Sequence, residues 1–123
     1  MRILVVEDDR KLGTLLTQGL REDGFEVAWA QDGEEGITKG TEGEYDLILL
    51  DYMLPGKNGF EVTKELRGAG RRTPILMLTA RDAPEDLRAA LSAGVNDLMG
   101  KPFRFGELVD RIRSLAADPV DRT

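Results

Sequence analysis

Three runs of four residues in this chain are apolar without a break: Ile3-Leu4-Val5-Val6, Leu47-Ile48-Leu49-Leu50 and Ile75-Leu76-Met77-Leu78. Each is too short for a buried helix and is bounded by polar or turn residues, so each predicts a strand buried on both faces. Phe25, Val27 and Trp29 alternate with Glu26, Ala28 and Ala30, the pattern of a half-buried strand. Val95 to Met99 reads as a poorer strand, interrupted by Asn96 and Asp97.

Helical spacing fills the gaps between these runs. A first helix is expected from about Arg10 to Glu22, with Leu12, Leu15, Leu16 and Leu20 on one face and Gly24 closing it. Asp32-Gly33 turns the chain into a second, about Glu34 to Glu42, weakened by Gly36, Gly40 and Gly43 at roughly 1 kcal/mol each against Ala. Pro55-Gly56 and Asn58-Gly59 break the chain after the central strand. A third helix, about Gly59 to Arg67, carries Phe60, Val62 and Leu66, and Gly68-Ala69-Gly70 ends it. Pro84 suits the first turn of a fourth, with Leu87, Ala90 and Leu91 inward and Gly94 as the stop. The last runs from about Arg104 to Ala117 with Leu108, Ile112 and Leu115, before Asp118-Pro119.

Five strand–helix alternations imply an α/β fold, a parallel sheet covered by helices on both faces. The first, third and fourth strands are apolar throughout and belong in the centre; the second and fifth belong at the edges. The strand order 2-1-3-4-5, a doubly wound flavodoxin-like arrangement, satisfies this. At 123 residues the chain is expected to be one domain, residues 1–117, with 118–123 starting a linker or tail.

Composition narrows the setting. Hydrophobic residues make up 41% and charged residues 33%, an ordinary globular mixture. Without Cys nothing requires an oxidising compartment, and Ile3 to Val6 is too short for a signal core or a membrane span, so a cytoplasmic protein is expected. A net charge of −6 argues against nucleic-acid binding by this domain. With no His, a phosphohistidine donor would have to be another protein.

That strand order brings Glu7 with Asp8, Asp51, Thr79 and Lys101 to one rim, at the carboxyl ends of the strands where such sheets bind ligands. Each has an ordinary alternative. Asp8 or Asp9 could cap the first helix, Asp51 could form an Asx turn, Thr79 could simply end a strand, and Lys101 could be a solvated lysine. Together they suit a hard cation and a phosphate. Three carboxylates repel one another; Lys101 offsets one charge, and a divalent cation such as Mg²⁺ would offset the rest. Asp51 could then act as a carboxylate nucleophile and form an acyl phosphate, with Lys101 and the Thr79 hydroxyl on the transferred oxygens and Ala80 too small to obstruct it.

Ile3 to Asp9, Asp46 to Asp51 with Met53-Leu54-Pro55-Gly56 and Gly59, Pro74 to Arg81, and Lys101-Pro102-Phe103 together resemble the receiver domain of bacterial two-component response regulators, over about residues 2–117. The wording is closest to the winged-helix transcription-factor subclass. The resemblance implies that Asp51 is phosphorylated by a sensor histidine kinase. It implies that Asp8, Asp51 and the Met53 carbonyl bind Mg²⁺ (or Mn²⁺), with Glu7 acting mainly through water. Thr79 would be the switch hydroxyl, Lys101 the phosphate partner, and Lys101–Pro102 a cis peptide. Met53 and Arg81 occupy positions that tune the lifetime of the acyl phosphate. The domain would take part in its own phosphorylation and dephosphorylation without being an enzyme on other substrates, and the chain would be cut from a longer transcriptional regulator.

Two positions depart from the family pattern. Leu98 stands where a Tyr or Phe is usual, so the coupling of phosphate to surface rests on a smaller side chain. On the face of the fourth helix, fifth strand and fifth helix, through which the subclass dimerises, Asp97, Glu107 and Arg111 match; Asn96 replaces an Asp, and Leu87 a basic residue. Three rivals remain. A flavodoxin-like binder would need a phosphate cradle where Glu7-Asp8-Asp9 stands. A haloacid-type phosphatase would need a second acid in Asp51-Tyr52-Met53. The third is an interaction module that keeps the site without responding.

Overall fold

The computed structural model describes residues 1–80 and 84–116, with the backbone alone for 84–87. The strands are β1 (Arg2–Val6), β2 (Glu26–Ala30), β3 (Leu47–Asp51), β4 (Ile75–Thr79) and β5 (Asp97–Gly100). The helices are α1 (Arg10–Glu22), α2 (Gly33–Glu42), α3 (Gly59–Gly68), α4 (Pro84–Ala93) and α5 (Phe105–Ala116). All neighbouring strands are parallel, in the order β2-β1-β3-β4-β5, as the apolar runs imply. The chain steps from β1 outward to β2, then returns past β1 to β3. The connections after β1 and β3 therefore leave in opposite directions and open a crevice between the two strand ends.

The sheet divides the core in two. Ile3, Val5, Leu47, Leu49, Leu76 and Leu78 face α1 and α5 with Leu16, Leu20, Leu108 and Ile112. Leu4, Val6, Ile48, Leu50, Ile75 and Met77 face α2, α3 and α4 with Val62, Leu66 and Ala90. β1, β3 and β4 thus have no polar face, which explains their unbroken apolar runs.

The structure corrects several expectations. β2 is not half-buried in the alternating sense: Val27 and Trp29 pack on the α1 side while Ala28 and Ala30 pack on the other, and Ala30 is fully buried. Leu15 of α1 and Leu91 of α4, expected inward, are 62% and 52% exposed. In α1 and α4 the buried stripe is narrower than the apolar one, because a single sheet face covers only part of the helix circumference. Leu87 falls among the residues whose side chains are not described, and Ala117 to Thr123 lie outside the described residues.

The glycines of α2, which weaken it as an isolated helix, let it close on the sheet and on α3. A Cβ on Gly36 would lie 2.8 Å from Val6 Cγ1, and one on Gly40 2.9 Å from Leu66 Cδ2. Asp32 caps this helix by accepting from the Glu35 amide. Asn58 and Glu61 form a reciprocal capping box that starts α3 immediately after the β3 loop.

Candidate functional site

The rim at the carboxyl ends of the strands gathers residues from four connections. Glu7 and Asp8 follow β1, Asp51 ends β3, Thr79 ends β4, and Lys101 follows β5. Glu7, Asp51 and Thr79 are buried, at 2%, 4% and 4% exposure, while Asp8 is exposed. One carboxylate oxygen from each of Glu7, Asp8 and Asp51 lies within 4.8 Å of the others. Lys101 Nζ lies 2.7 Å from Asp51 Oδ1 and 3.6 Å from Glu7 Oε1.

The connection after β1 divides its acids. Asp9 is the N-cap of α1, its carboxylate accepting from the Lys11 and Leu12 amides, so the capping role falls to Asp9 and Asp8 is left to the cluster. Glu7 Oε2 accepts from the Asp9 amide at 3.1 Å. Lys101 is held from its own backbone, whose amide donates to the Thr79 carbonyl at 2.8 Å, and the Lys101–Pro102 peptide is cis.

After Asp51 the Tyr52 amide donates to Leu78 O, and the Gly59 amide returns to Tyr52 O. A Cβ at Gly59 would come within 3.0 Å of Asp51 O and Tyr52 Cα, so only glycine lets α3 start this close to the end of β3. Met53 lies in the intervening loop and is 67% exposed.

Burial and crowding shape the charges. Burial pushes the Glu7 carboxyl up to about 7, and the Asp51 charge adds to the effect. Burial also raises Asp51, against the pull of Lys101. Burial draws Lys101 down, but Asp51 and Glu7 together outweigh it and hold the ammonium above the ordinary lysine range.

The cluster fits a divalent cation. Among the described residues Glu7 Oε1 is buried with no donor nearer than the Lys101 ammonium at 3.6 Å, three acids face that ammonium, and the donor set is entirely oxygen, which suits a hard ion. The exposed Asp8 side leaves room for water in the coordination shell.

On the α4-β5-α5 face, Arg111 Nη1 meets Asp97 Oδ2 at 2.8 Å within the same chain and reaches Leu98 O at 3.4 Å. Glu107 is exposed on α5. Leu98 is half-buried against the α2-α3-α4 side of the core. Asn96 is engaged elsewhere: its Oδ1 accepts from the Ile75 amide at 2.9 Å and from Arg67 at 3.0 Å, tying the start of β5 to β4 and α3. Arg81 lies outside the described residues.

Sequence reasoning missed Trp29, whose indole N–H donates to the Glu7 carbonyl at 2.9 Å. The signal was present in Gly13, a glycine inside a leucine-rich helix. A Cβ there would lie 2.0 Å from Trp29 Cζ2.

Similarity to known proteins agrees with this geometry. The family profile of the response regulator receiver domain matches residues 3–113. The transcriptional activator protein IrlR of Burkholderia pseudomallei is 50% identical over 115 residues, covering 94% of this chain and 50% of IrlR. The chain thus spans about half the length of the curated relatives it matches. The receiver domain of Francisella response regulator 1452 superposes with a TM-score of 0.90 at 32% identity, covering 94% of this chain and 96% of that one. The receiver domain of sensor histidine kinase PA1611 from Pseudomonas aeruginosa PAO1, solved with a magnesium ion coordinated in its active-site cleft, gives 0.87 at 35% identity over 95% of this chain and 98% of that one. In the residues matched, in strand order and in the acid–lysine cluster at the crevice, the chain belongs to the response regulator receiver domain family, whose members accept phosphoryl groups from histidine kinases.

Proposed function

We propose that this domain takes a phosphoryl group onto Asp51 from a phosphohistidine of a sensor histidine kinase. The observation that carries the reading is the cluster itself: Glu7, Asp8 and Asp51 offer oxygens within 4.8 Å of one another, with an ammonium 2.7 Å from Asp51. Structural acids at a strand end have no reason to converge in this way, because their mutual repulsion costs stability.

In the transfer, an Asp51 carboxylate oxygen attacks phosphorus. The phosphorus–nitrogen bond of the donor breaks, its electron pair leaving with the imidazole. Lys101 and the Thr79 hydroxyl donate to the phosphoryl oxygens. Asp8, Asp51 and the Met53 carbonyl would hold Mg²⁺ (or Mn²⁺) directly, with Glu7 reaching it through water; bound there, the cation offsets the charge that the acids and the phosphoryl oxygens bring together. Water later attacks phosphorus, restoring the Asp51 carboxylate and releasing inorganic phosphate. Met53 and Arg81 set how long the acyl phosphate survives. The domain takes part in both steps but turns over no separate substrate.

The output follows from added charge. Phosphorylation brings about −1.5 to −2 charges and three strong acceptors to Asp51. Thr79 moves toward them, Leu98 fills the space it leaves, and the α4-β5-α5 face changes. Asp97, Glu107 and Arg111 on that face then pair between two copies in place of the intramolecular Asp97–Arg111 contact. The relatives are about twice as long and IrlR is a transcriptional activator; on that likeness we assign the domain to a cytoplasmic regulator whose output is a DNA-binding effector, this domain itself touching neither nucleic acid nor membrane.

Intact-protein mass after incubation with a small phosphodonor tests the reading, with Mg²⁺ or EDTA and beside Asp51→Asn. One phosphate adduct, dependent on Mg²⁺ and absent from the variant, is expected. No adduct under any condition overturns it in favour of an unresponsive interaction module.

A further inference from the structure

Trp29, the chain's single tryptophan, lies in β2 opposite Val5 and is half-buried. The ladder between β1 and β2 ends at Val6 and Ala30. Glu7 is the first residue beyond it, yet both its amide and its carbonyl are still bonded to residues of β2. The Glu7 amide donates to Ala30 O at 3.0 Å, and the Glu7 carbonyl accepts from the Trp29 indole at 2.9 Å. The second bond is not one that strand pairing provides, because it comes from a side chain.

Its geometry depends on α1. The indole lies across Gly13, where a Cβ would approach Cζ2 to 2.0 Å and Cε2 to 2.4 Å. The helix therefore leaves a slot at this point for the ring. Two residues further along, Asp9 is fixed as the cap of α1. Asp8 is thus suspended between two anchored neighbours, Glu7 held by β2 and Asp9 held by α1. On that held backbone an Asp8 carboxylate oxygen comes within 4.8 Å of oxygens of Glu7 and Asp51.

We propose that Trp29 is a positioning residue for the cation site: its indole N–H, seated over Gly13, locks the Glu7 backbone and so presents the Glu7 and Asp8 oxygens to a divalent cation. The inference rests on the reading of Glu7, Asp8 and Asp51 as a cation site. A ring that served packing alone would need the slot at Gly13 but not an N–H aimed at the Glu7 carbonyl. Partners that orient ligands from behind commonly cost tenfold or more in metal affinity when removed, and one ordinary hydrogen bond alone is worth a few-fold.

The test compares the whole 123-residue chain with Trp29→Phe, which keeps an aromatic ring and loses the donor, and with Gly13→Ala, which keeps the donor and displaces the ring. Mn²⁺ binding followed by electron paramagnetic resonance, with Mg²⁺ as competitor, gives the affinities; thermal unfolding in EDTA gives the stability of each variant. The expected result is roughly three- to tenfold weaker affinity in both variants. The Mg²⁺ concentration for half-maximal phosphorylation should rise by the same factor, while the rate at saturating Mg²⁺ stays within about twofold of the parent. Affinity unchanged in Trp29→Phe, with only the unfolding temperature lowered, overturns the inference and leaves Trp29 a packing residue. A parent chain that binds neither ion overturns the cation-site reading itself, and this inference with it.

Discussion

Lys101 Nζ sits 2.7 Å from Asp51 Oδ1 although the two residues come from the ends of strands β5 and β3, with β4 between them. The contact bridges a whole strand because Lys101 is long and its backbone is tied to Thr79 O on the intervening strand. It is the charge that makes a buried cluster of acids tolerable. Replacing Lys101 with Met should therefore destabilise the metal-free domain by about 1–3 kcal/mol at pH 8, since buried charges lose their partner. Asp51→Asn should act in the opposite direction, by about 1–2 kcal/mol, because it removes one of the mutually repelling acids. Urea unfolding in EDTA measures both; equal effects of the same sign would contradict this account.

Removal of the cation should expose a pH dependence carried by Glu7. Its carboxyl is raised from 4.5 to about 7 in the folded chain. A raised acid binds its proton more tightly when folded, so the stability it contributes is present below about 4.5 and is lost as pH rises through about 7. In EDTA, stability should fall across that window by an amount on the order of 2–3 kcal/mol. Millimolar Mg²⁺ should flatten or reverse the slope, since cation binding favours the ionised acid. Denaturant midpoints at pH 5, 6, 7 and 8, with and without Mg²⁺, decide it.

Two glycine-to-alanine changes should differ in sign. Gly36→Ala places a methyl 2.8 Å from Val6 on the central strand β1, a neighbour that cannot withdraw, and should cost about 1–3 kcal/mol despite the gain in helix propensity. Gly106→Ala, in α5 with open space around it, should stabilise by about 0.5–1 kcal/mol. Thermal melts of the two variants make the comparison.

Asp97 and Arg111 form a half-exposed pair, at 34% and 40% side-chain exposure. Screening limits its worth in the single chain to under about 1 kcal/mol. Arg111→Ala should thus leave the unfolding temperature within about 4 °C of the parent, yet abolish or weaken at least several-fold any dimer seen with a phosphoryl mimic. Sedimentation velocity with and without the mimic tests this. A variant dimer as tight as the parent's would remove these residues from the interface.

The apolar runs and their breakers were enough to order five strands, five helices and the sheet, because period and punctuation are local properties of the chain. The same locality put Glu7, Asp8, Asp51, Thr79 and Lys101 at strand ends, and a parallel sheet carries all such ends to one rim. What stayed hidden depended on distances between segments remote in sequence. Asp8 and Asp9 are chemically equivalent until α1 takes one of them as its cap. Leu15 and Leu91 lie within apolar stripes, and only the width of the sheet face decides that they point outward. Asn96 reads as a surface variation until Arg67 and the Ile75 amide are found at its carbonyl. Trp29 reads as one more strand residue, and it takes α1, with the slot at Gly13, to aim its N–H at Glu7. Hydrogen bonds and close packing act over a few ångströms, so their partners are settled only when the helices have docked.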